Sequence, residues 1–491
     1  MTDAPRYLGS GTMERGSAAS LTGAPPSHLP SRLVISLWDF SWYTRAEEGG
    51  PYANLDAACA KAAQLGYNTI RICAAPLLLF GALGLDDLAV DLEIEGLGTA
   101  PDGGFYGRGT RWYDAPGGYR LNLRERLLEL FDAAARHGLV VILASWEYQQ
   151  SPAFARSPRW FEAIDAVPLQ DRYRVLADSW DRLIGALTTA GHRDRIAMVE
   201  LHNEVDFSIL PALAEGGTRE LERLRGLHPD LLVTASYGKP PHLAMHTVPD
   251  GLGAAQFHVY SYGVLDALQQ QIDIRSEGAA GFPNPAFPNP ALAALLRPGA
   301  PSVAEYGRLA EWKYRATVVT DQMFYGYDWI DPEAWDAWLY NRFGEFREVM
   351  RREIESRVVA IAAWARWKNA PAVVGEGWIG YTPLHGTFEE GPIGRDLAER
   401  GIRAALDHGV WGMVLCSKRR AAPPDVGRRS VATPHEPPHP YRPHKLKESL
   451  CRTNKGPLRG PVRGWAAMKC SAPGCSAPPT GRTSWHCSPR P

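Results

Sequence analysis

NLRERLLELFDAAARHGLVVILAS, residues 122–145, holds a complete helix-to-strand unit. Asn122 followed three residues later by Glu125 is a capping-box pattern that starts a helix. The helix runs to the Gly of ARHG, and VVILAS (140–145) follows at once as a buried strand. The same alternation extends both ways. Upstream, LVISLW (33–38) reads as a strand. Asn54 caps a helix with apolar positions at Leu55, Ala58, Cys59, Ala62 and Leu65, ended by Gly66, and TIRIC (69–73) follows. Downstream, a helix near 170–190 leads into IAMVELHN (196–203), and 217–227 leads into LLVTAS (231–236). AQFHVY (255–260) comes next. A helical stretch of about 332–369 precedes AVVGE (372–376), and GRDLAERGIRAALDHG precedes VWGMVLC (410–416).

Continuous apolar strands alternating with helices imply a parallel sheet covered on both faces. Eight such units predict an α/β fold of the closed (β/α)8 type, a TIM barrel, over residues 32–417. An open doubly wound sheet is the alternative. The absence of G-x-G-x-x-G after the first strand weighs against it. Two connections, about 76–120 and 264–331, are long βα loops, and such loops project at the functional face of a barrel. The first contains GGFYGRGTRWYDAPGGYRLN (103–122), which could form a hairpin.

The net charge of −1 points to neither a nucleic-acid nor a membrane partner, but it hides a division. Residues 418–491 carry 15 Lys and Arg against 3 Asp and Glu, and hold 14 of the 40 prolines. Such a segment supplies no closing helix for a barrel. A disordered tail is expected there, read as out-of-frame translation from near Ser417, leaving the wall around Val410–Cys416 and Leu33–Leu37 exposed. Cys470, Cys475, His486 and Cys487 follow no recognised zinc spacing. Residues 1–31, rich in small residues, read as a flexible lead-in with no apolar run of signal-peptide length, which predicts a cytoplasmic protein. No segment approaches a membrane span. Cys59, Cys73 and Cys416 are scattered, against a disulfide framework.

Polar residues gather where strands end: Arg71 on strand two, Ser145-Trp146-Glu147 after strand three, His202-Asn203-Glu204 after strand four, His258 and Tyr260 on strand six, and Gly375-Glu376-Gly377-Trp378 on strand seven. A carboxylate ending an apolar strand is costly to bury without a partner or a task. Two of them, Glu204 and Glu376, fit glycoside hydrolysis, in which one carboxylic acid protonates the leaving oxygen and a second carboxylate attacks the anomeric carbon or activates a water. Arg71 could hold Glu376 ionised or merely balance a buried carboxylate, His258 could orient Glu204 or be a satisfied core histidine, and Tyr260 could hydrogen-bond Glu376. The reaction needs no metal and no organic cofactor.

VELHNE on strand four and VVGEGW on strand seven resemble the clan A glycoside hydrolases, in particular glycoside hydrolase family 5 and its sugar-binding, cellulase-like relatives. The resemblance covers about residues 32–416. It implies Glu204 as acid/base, Glu376 as nucleophile and Asn203 as the contact to the sugar 2-hydroxyl. His258-Val259-Tyr260 is similar to the His-x-Tyr element of strand six, and Arg71 to the Arg beside the nucleophile. The chain departs from the family at Val205, where Pro usually follows the Glu, and at Ser145-Trp146-Glu147, where a His is common.

Trp38, Trp42 and Trp146 could be core fillers or platforms for sugar faces; Trp378, just beyond the nucleophile, is read as a platform, and Trp146 joins it as a candidate contact. Glu147 could bind sugar or pair with a cation. The resulting expectation is a retaining hydrolase of β-linked glucan- or mannan-type glycans. The alternative is a sugar-binding protein without catalysis on the same barrel, which has no need of both carboxylates.

Overall fold

Eight strand positions close the ring that the alternation predicts. The computed structural model describes residues 21–275, 287–380 and 383–415. The strands are β1 (Leu33–Asp39), β2 (Thr69–Cys73), β3 (Val140–Ala144), β4 (Ile196–Glu200), β5, β6 (Ala255–Ser261), β7 (Ala372–Ile379) and β8 (Gly412–Val414). All neighbours pair in parallel, including β1 with β8. β5 is broken at Ala235. Val233–Thr234 pairs with β4, and Ser236–Tyr237 pairs with β6, so the two ends of the nine-segment sheet are consecutive pieces of one stretch of chain.

The period-2 geometry of a strand sorts its side chains between two cores. Val140 and Ile142 of β3 point into the barrel with Leu33, Ile35, Met198 and Val373. Val141 and Leu143 point outward to the helices. The helical layer comprises α1 (Leu55–Gln64), α2 (Leu123–Arg136), α3 (Arg172–Thr189), α4 (Thr218–Leu227), α5 (Val264–Gln271), α6 (Pro332–Trp367) and α7 (Pro392–Asp407). The Asn54 side chain accepts from the Ala57 N–H, and that of Asn122 from Arg124 and Glu125, so both expected caps form. Between β5 and β6 the chain returns without an α-helix, making only the short turn Met245–Thr247.

The two long connections pack on each other. In the first, Leu92–Ile94 pairs antiparallel with Tyr119–Leu121, so the hairpin takes its first strand from upstream of the expected stretch. Asp328, from the second, is buried and accepts the N–H groups of Gly107 and Gly109 and the hydroxyl of Tyr306. Lys313 reaches back to Glu95 and the Gly96 carbonyl. Because these connections leave β2 and β6, they form one canopy at the C-terminal end of the barrel.

Two expectations need correction. The lead-in is not loose over residues 21–31. The Thr22 hydroxyl donates to the Ala370 carbonyl, Leu29 packs with the barrel interior, and the Pro30 carbonyl accepts from the Trp411 indole. The wall around β1 and β8 is not exposed either: Leu33, Ile35, Val410 and Val414 are buried, the first two because they point into the barrel. The expected tail, Cys416 and the Cys470–Cys487 cluster lie outside the described residues. Cys59 and Cys73 are buried free thiols. Among the described residues no helix is long and apolar enough to cross a membrane.

Candidate active site

Strand order brings β2, β4, β6 and β7 to one end of the ring, and the side chains that the sequence singled out meet there. Arg71, fully buried on β2, is the hub. Its Nε and Nη2 donate to the two oxygens of Glu200 at 2.7 Å each, its Nη1 to Glu376 Oε1 at 2.9 Å, and its Nη2 also to Asn203 Oδ1 at 2.7 Å. Burial disfavours its charge, but the two carboxylates outweigh that and raise its pKa further. The Trp146 ring lies under the guanidinium, 4.7 Å from Cζ to centroid.

Glu376 is held from two sides: Arg71 on Oε1, and the Tyr260 hydroxyl on Oε2 at 2.6 Å. Burial, then the charge of Glu376, pushes the Tyr260 phenol far up, so it stays a donor. Glu204 lies just beyond β4 in the left-handed conformation (φ 44°), which costs a non-glycine residue about 1–2 kcal/mol. The surroundings hold it there: its N–H donates to Ser236 Oγ at 3.0 Å, and its carbonyl accepts from Phe207. Gly238 passes so close that a Cβ would lie 2.6 Å from the Glu204 carboxyl carbon. His258 Nδ1 lies 2.7 Å from Glu204 Oε1, and Gln149 Nε2 donates to Oε2 at 3.0 Å. Among the described residues no Lys or Arg pairs with Glu204.

One carboxylate oxygen of Glu204, one of Glu376 and a ring nitrogen of His258 all lie within 4.8 Å of one another. Carboxyl groups about 5–5.5 Å apart suit retaining glycoside hydrolysis, against about 6.5–9.5 Å for inversion. Three such groups also match a cation by distance alone, but the guanidinium already sits on Glu376 Oε1 and the imidazole on Glu204.

Of the expected contacts, those from Arg71 and Tyr260 to Glu376 and from His258 to Glu204 are all present. The expected platforms are not. Trp378 is buried in the outer layer. Its indole N–H donates to the Val414 carbonyl, and its ring fills the space that Gly401 of α7 leaves open. Trp146 is likewise closed off behind Arg71, while Trp38 and Trp42 are fully buried, bonded to Ser36 and the Cys73 carbonyl. Glu147 is buried and accepts the N–H groups of Leu77 and Leu78, the Ser145 hydroxyl and the Trp160 indole, and among the described residues no Lys or Arg pairs with it. Burial drives the His202 pKa down to about 3; its Nε2 accepts the Tyr148 N–H, so the ring is neutral.

Sequence reasoning missed Glu200, Gln256 and Gln149. A signal existed for Glu200, a carboxylate inside the apolar run IAMVE with an arginine on a nearby strand. Gln256, on β6, donates to Glu200 at 2.9 Å. Nothing in the sequence marks Gln149.

Residues 35–211 match the family described as sugar-binding cellulase-like. No curated protein matches the sequence. Among solved structures, a candidate glycoside hydrolase from Parabacteroides distasonis shares 16% identity at a TM-score of 0.51, covering 79% of this chain and 87% of that one. An endo-1,4-β-D-mannanase from Thermotoga petrophila shares 14% at a TM-score of 0.36 (78% and 87% covered). A GH5_18 protein from Streptomyces cattleya in complex with Manβ1-4GlcNAc shares 14% at 0.42 (79% and 71% covered). In sequence over residues 35–211, and in its (β/α)8 fold, the chain is similar to the cellulase-like glycoside hydrolases that its Asn203-Glu204 and Gly375-Glu376 motifs resemble.

Proposed function

We propose that this chain is a retaining hydrolase of β-linked glycans of the glucan or mannan type, with Glu204 as acid/base and Glu376 as nucleophile. The observation that carries the reading is the contrast between two neighbouring carboxylates. Glu376 has a guanidinium on one oxygen and a phenol on the other, surroundings that suit an anionic nucleophile. Glu204 has no Lys or Arg partner among the described residues, is more exposed (18% against 6%), and meets an imidazole that can donate or accept. In the first step Glu376 attacks the anomeric carbon while Glu204 gives its proton to the departing oxygen. In the second, Glu204 takes a proton from water, whose oxygen displaces Glu376 from the sugar. Asn203, held by Arg71, is positioned for the 2-hydroxyl of that sugar. A neutral glycan suits this floor, because the charge of Arg71 is already matched by Glu200 and Glu376.

The test uses aryl β-glucosides and β-mannosides. Glu204→Ala should keep kcat/KM on a dinitrophenyl glycoside, lose it on poor leaving groups, and have its slowed second step accelerated by azide, which takes the place of water there. Glu376→Ala should fail on all of them. Sugar binding by the wild-type chain with no hydrolysis would move the protein to the non-catalytic class.

A further inference from the structure

Beyond the paired carboxylates, the site contains a chain of side-chain amides with a fixed direction. Arg71 Nη2 donates to Asn203 Oδ1 at 2.7 Å; Asn203 Nδ2 donates to Gln149 Oε1 at 2.8 Å; Gln149 Nε2 donates to Glu204 Oε2 at 3.0 Å. Each member is nearly closed to solvent: Arg71 is 0%, Asn203 1% and Gln149 6% exposed. An amide can ordinarily be turned end for end at little cost, but a guanidinium has only donors. Arg71 therefore forces the oxygen of Asn203 toward itself, which sends the NH2 of Asn203 to the oxygen of Gln149. That in turn sends the NH2 of Gln149 to Glu204.

The consequence falls on the two oxygens of Glu204. Oε2 faces a group that can only donate. Oε1 faces His258 Nδ1 at 2.7 Å, and an imidazole nitrogen serves as donor or acceptor according to its tautomer. A proton on Oε2 would meet the amide N–H head-on, whereas a proton on Oε1 meets a partner that can adapt.

We infer that Gln149 is a positioning residue for Glu204: through the amide chain begun by Arg71 it keeps Oε2 a bare acceptor, so that Oε1 is the oxygen that carries the transferable proton. The inference rests on the reading of Glu204 as acid/base. It assigns to Gln149, on the loop after β3, the task of orienting the acid. The other titratable or charged groups around Glu204 are His258 and Tyr260 from β6, Glu376 from β7, and Asp206 on its own loop.

Two variants of the full chain separate positioning from mere packing. Gln149→Met fills the space but donates nothing. It should lose about 10- to 100-fold in kcat/KM on a poor leaving group, the worth of one hydrogen bond to a charged group, while kcat/KM on a dinitrophenyl glycoside stays within about twofold of wild type, since protonation of its leaving group matters less. Gln149→Glu keeps the shape, and donates only when protonated. Its loss on poor leaving groups should be repaired as pH falls, which the Met variant cannot match. Equal losses on good and poor leaving groups in both variants, with no repair at low pH, would overturn the inference. A measurement independent of turnover stands beside these: the 15N–1H resonances of the Gln149 side chain in protein labelled at glutamine, identified by their loss in Gln149→Met. One amide proton should lie downfield of free glutamine and move back in Glu204→Ala. An amide that does not respond to Glu204→Ala refutes the relay even where Glu204→Ala shows full azide rescue. Conversely, an amide that responds in a chain without hydrolysis leaves the relay standing and removes the proposed activity.

Discussion

The lower and upper halves of the barrel interior are built by one ring of strands and follow opposite rules. Below lie Leu33, Ile35, Val140, Ile142, Met198 and Val373, an apolar plug sealed by Leu29 and Trp411. Toward the other end of the ring, on β2, β4, β6 and β7, lie Arg71, Glu200, Gln256, His258 and Glu376, buried as deeply but joined only by hydrogen bonds and charge. On β4 the change takes one step of the pleat, from Met198 to Glu200. Burial alone therefore does not distinguish core from site; what distinguishes them is whether a side chain can be replaced by a well-packed apolar one. Mutations should split along this line.

The largest effect is expected at Glu376. Glu376→Ala should reduce kcat on the order of 10⁴-fold or more, as loss of a covalent nucleophile does elsewhere, with little loss of melting temperature. A melting temperature that collapses along with activity would make Glu376 a structural residue. Arg71→Met comes next. It leaves Glu200 and Glu376 facing one another without a cation, and breaking a buried pair in this way costs about 3–5 kcal/mol. Denaturant unfolding measures it; restored stability in Arg71→Met combined with Glu200→Met would identify the orphaned Glu200 as the cause. Ile142→Ala, in the lower half, should cost about 2–4 kcal/mol through the cavity it opens, yet the folded fraction should keep wild-type kcat. A changed kcat would mean that the two halves are mechanically coupled.

The smallest effect concerns pH. The folded protein refuses a proton on His202 until about pH 3, whereas the unfolded chain takes one near the ordinary 6.5. The stabilising contribution of the neutral ring is thus complete above pH 6.5 and is lost as pH falls toward 3. Between pH 7 and pH 5 that amounts to about 2 kcal/mol. His202→Asn should be the less stable protein at pH 7, with the gap to wild type narrowing by about this much at pH 5. A constant gap would show that the buried imidazole takes up a proton without unfolding.

The lower half was the legible one. Apolar runs such as VVILA need no partner beyond one another, so their meaning is local, and six of the eight strands lie where their runs fall. The other two show where local reading stops. LLVTAS is split at Ala235 because its two ends serve different neighbours, and VWGMVLC pairs over only Gly412–Val414. In the upper half, Arg71, Asn203, Glu204, His258, Tyr260 and Glu376 stood out because charge or polarity at the end of an apolar strand is conspicuous. Their partners did not. Gln149 is an ordinary loop residue until Asn203, 54 positions away, turns its amide. Trp378 was misread because an aromatic beside a nucleophile suggests a sugar platform; the glycine on α7 that receives its ring is 23 positions further along the chain.

Asp328 ties the canopy together across 221 and 219 residues of chain, to the amides of Gly107 and Gly109. Closing so long a loop is entropically unfavourable unless the intervening chain is already folded, and between these residues lie β3 to β6. The canopy ties thus form once β3 to β6 are in place, and they can open without unpairing those strands. A protease sampling the native state should find its first cuts in the roof while the strands beneath stay paired. The exchange rates of the Gly107 and Gly109 amide protons, compared with those of β3, give the free energy of that detachment separately from the unfolding of the barrel beneath.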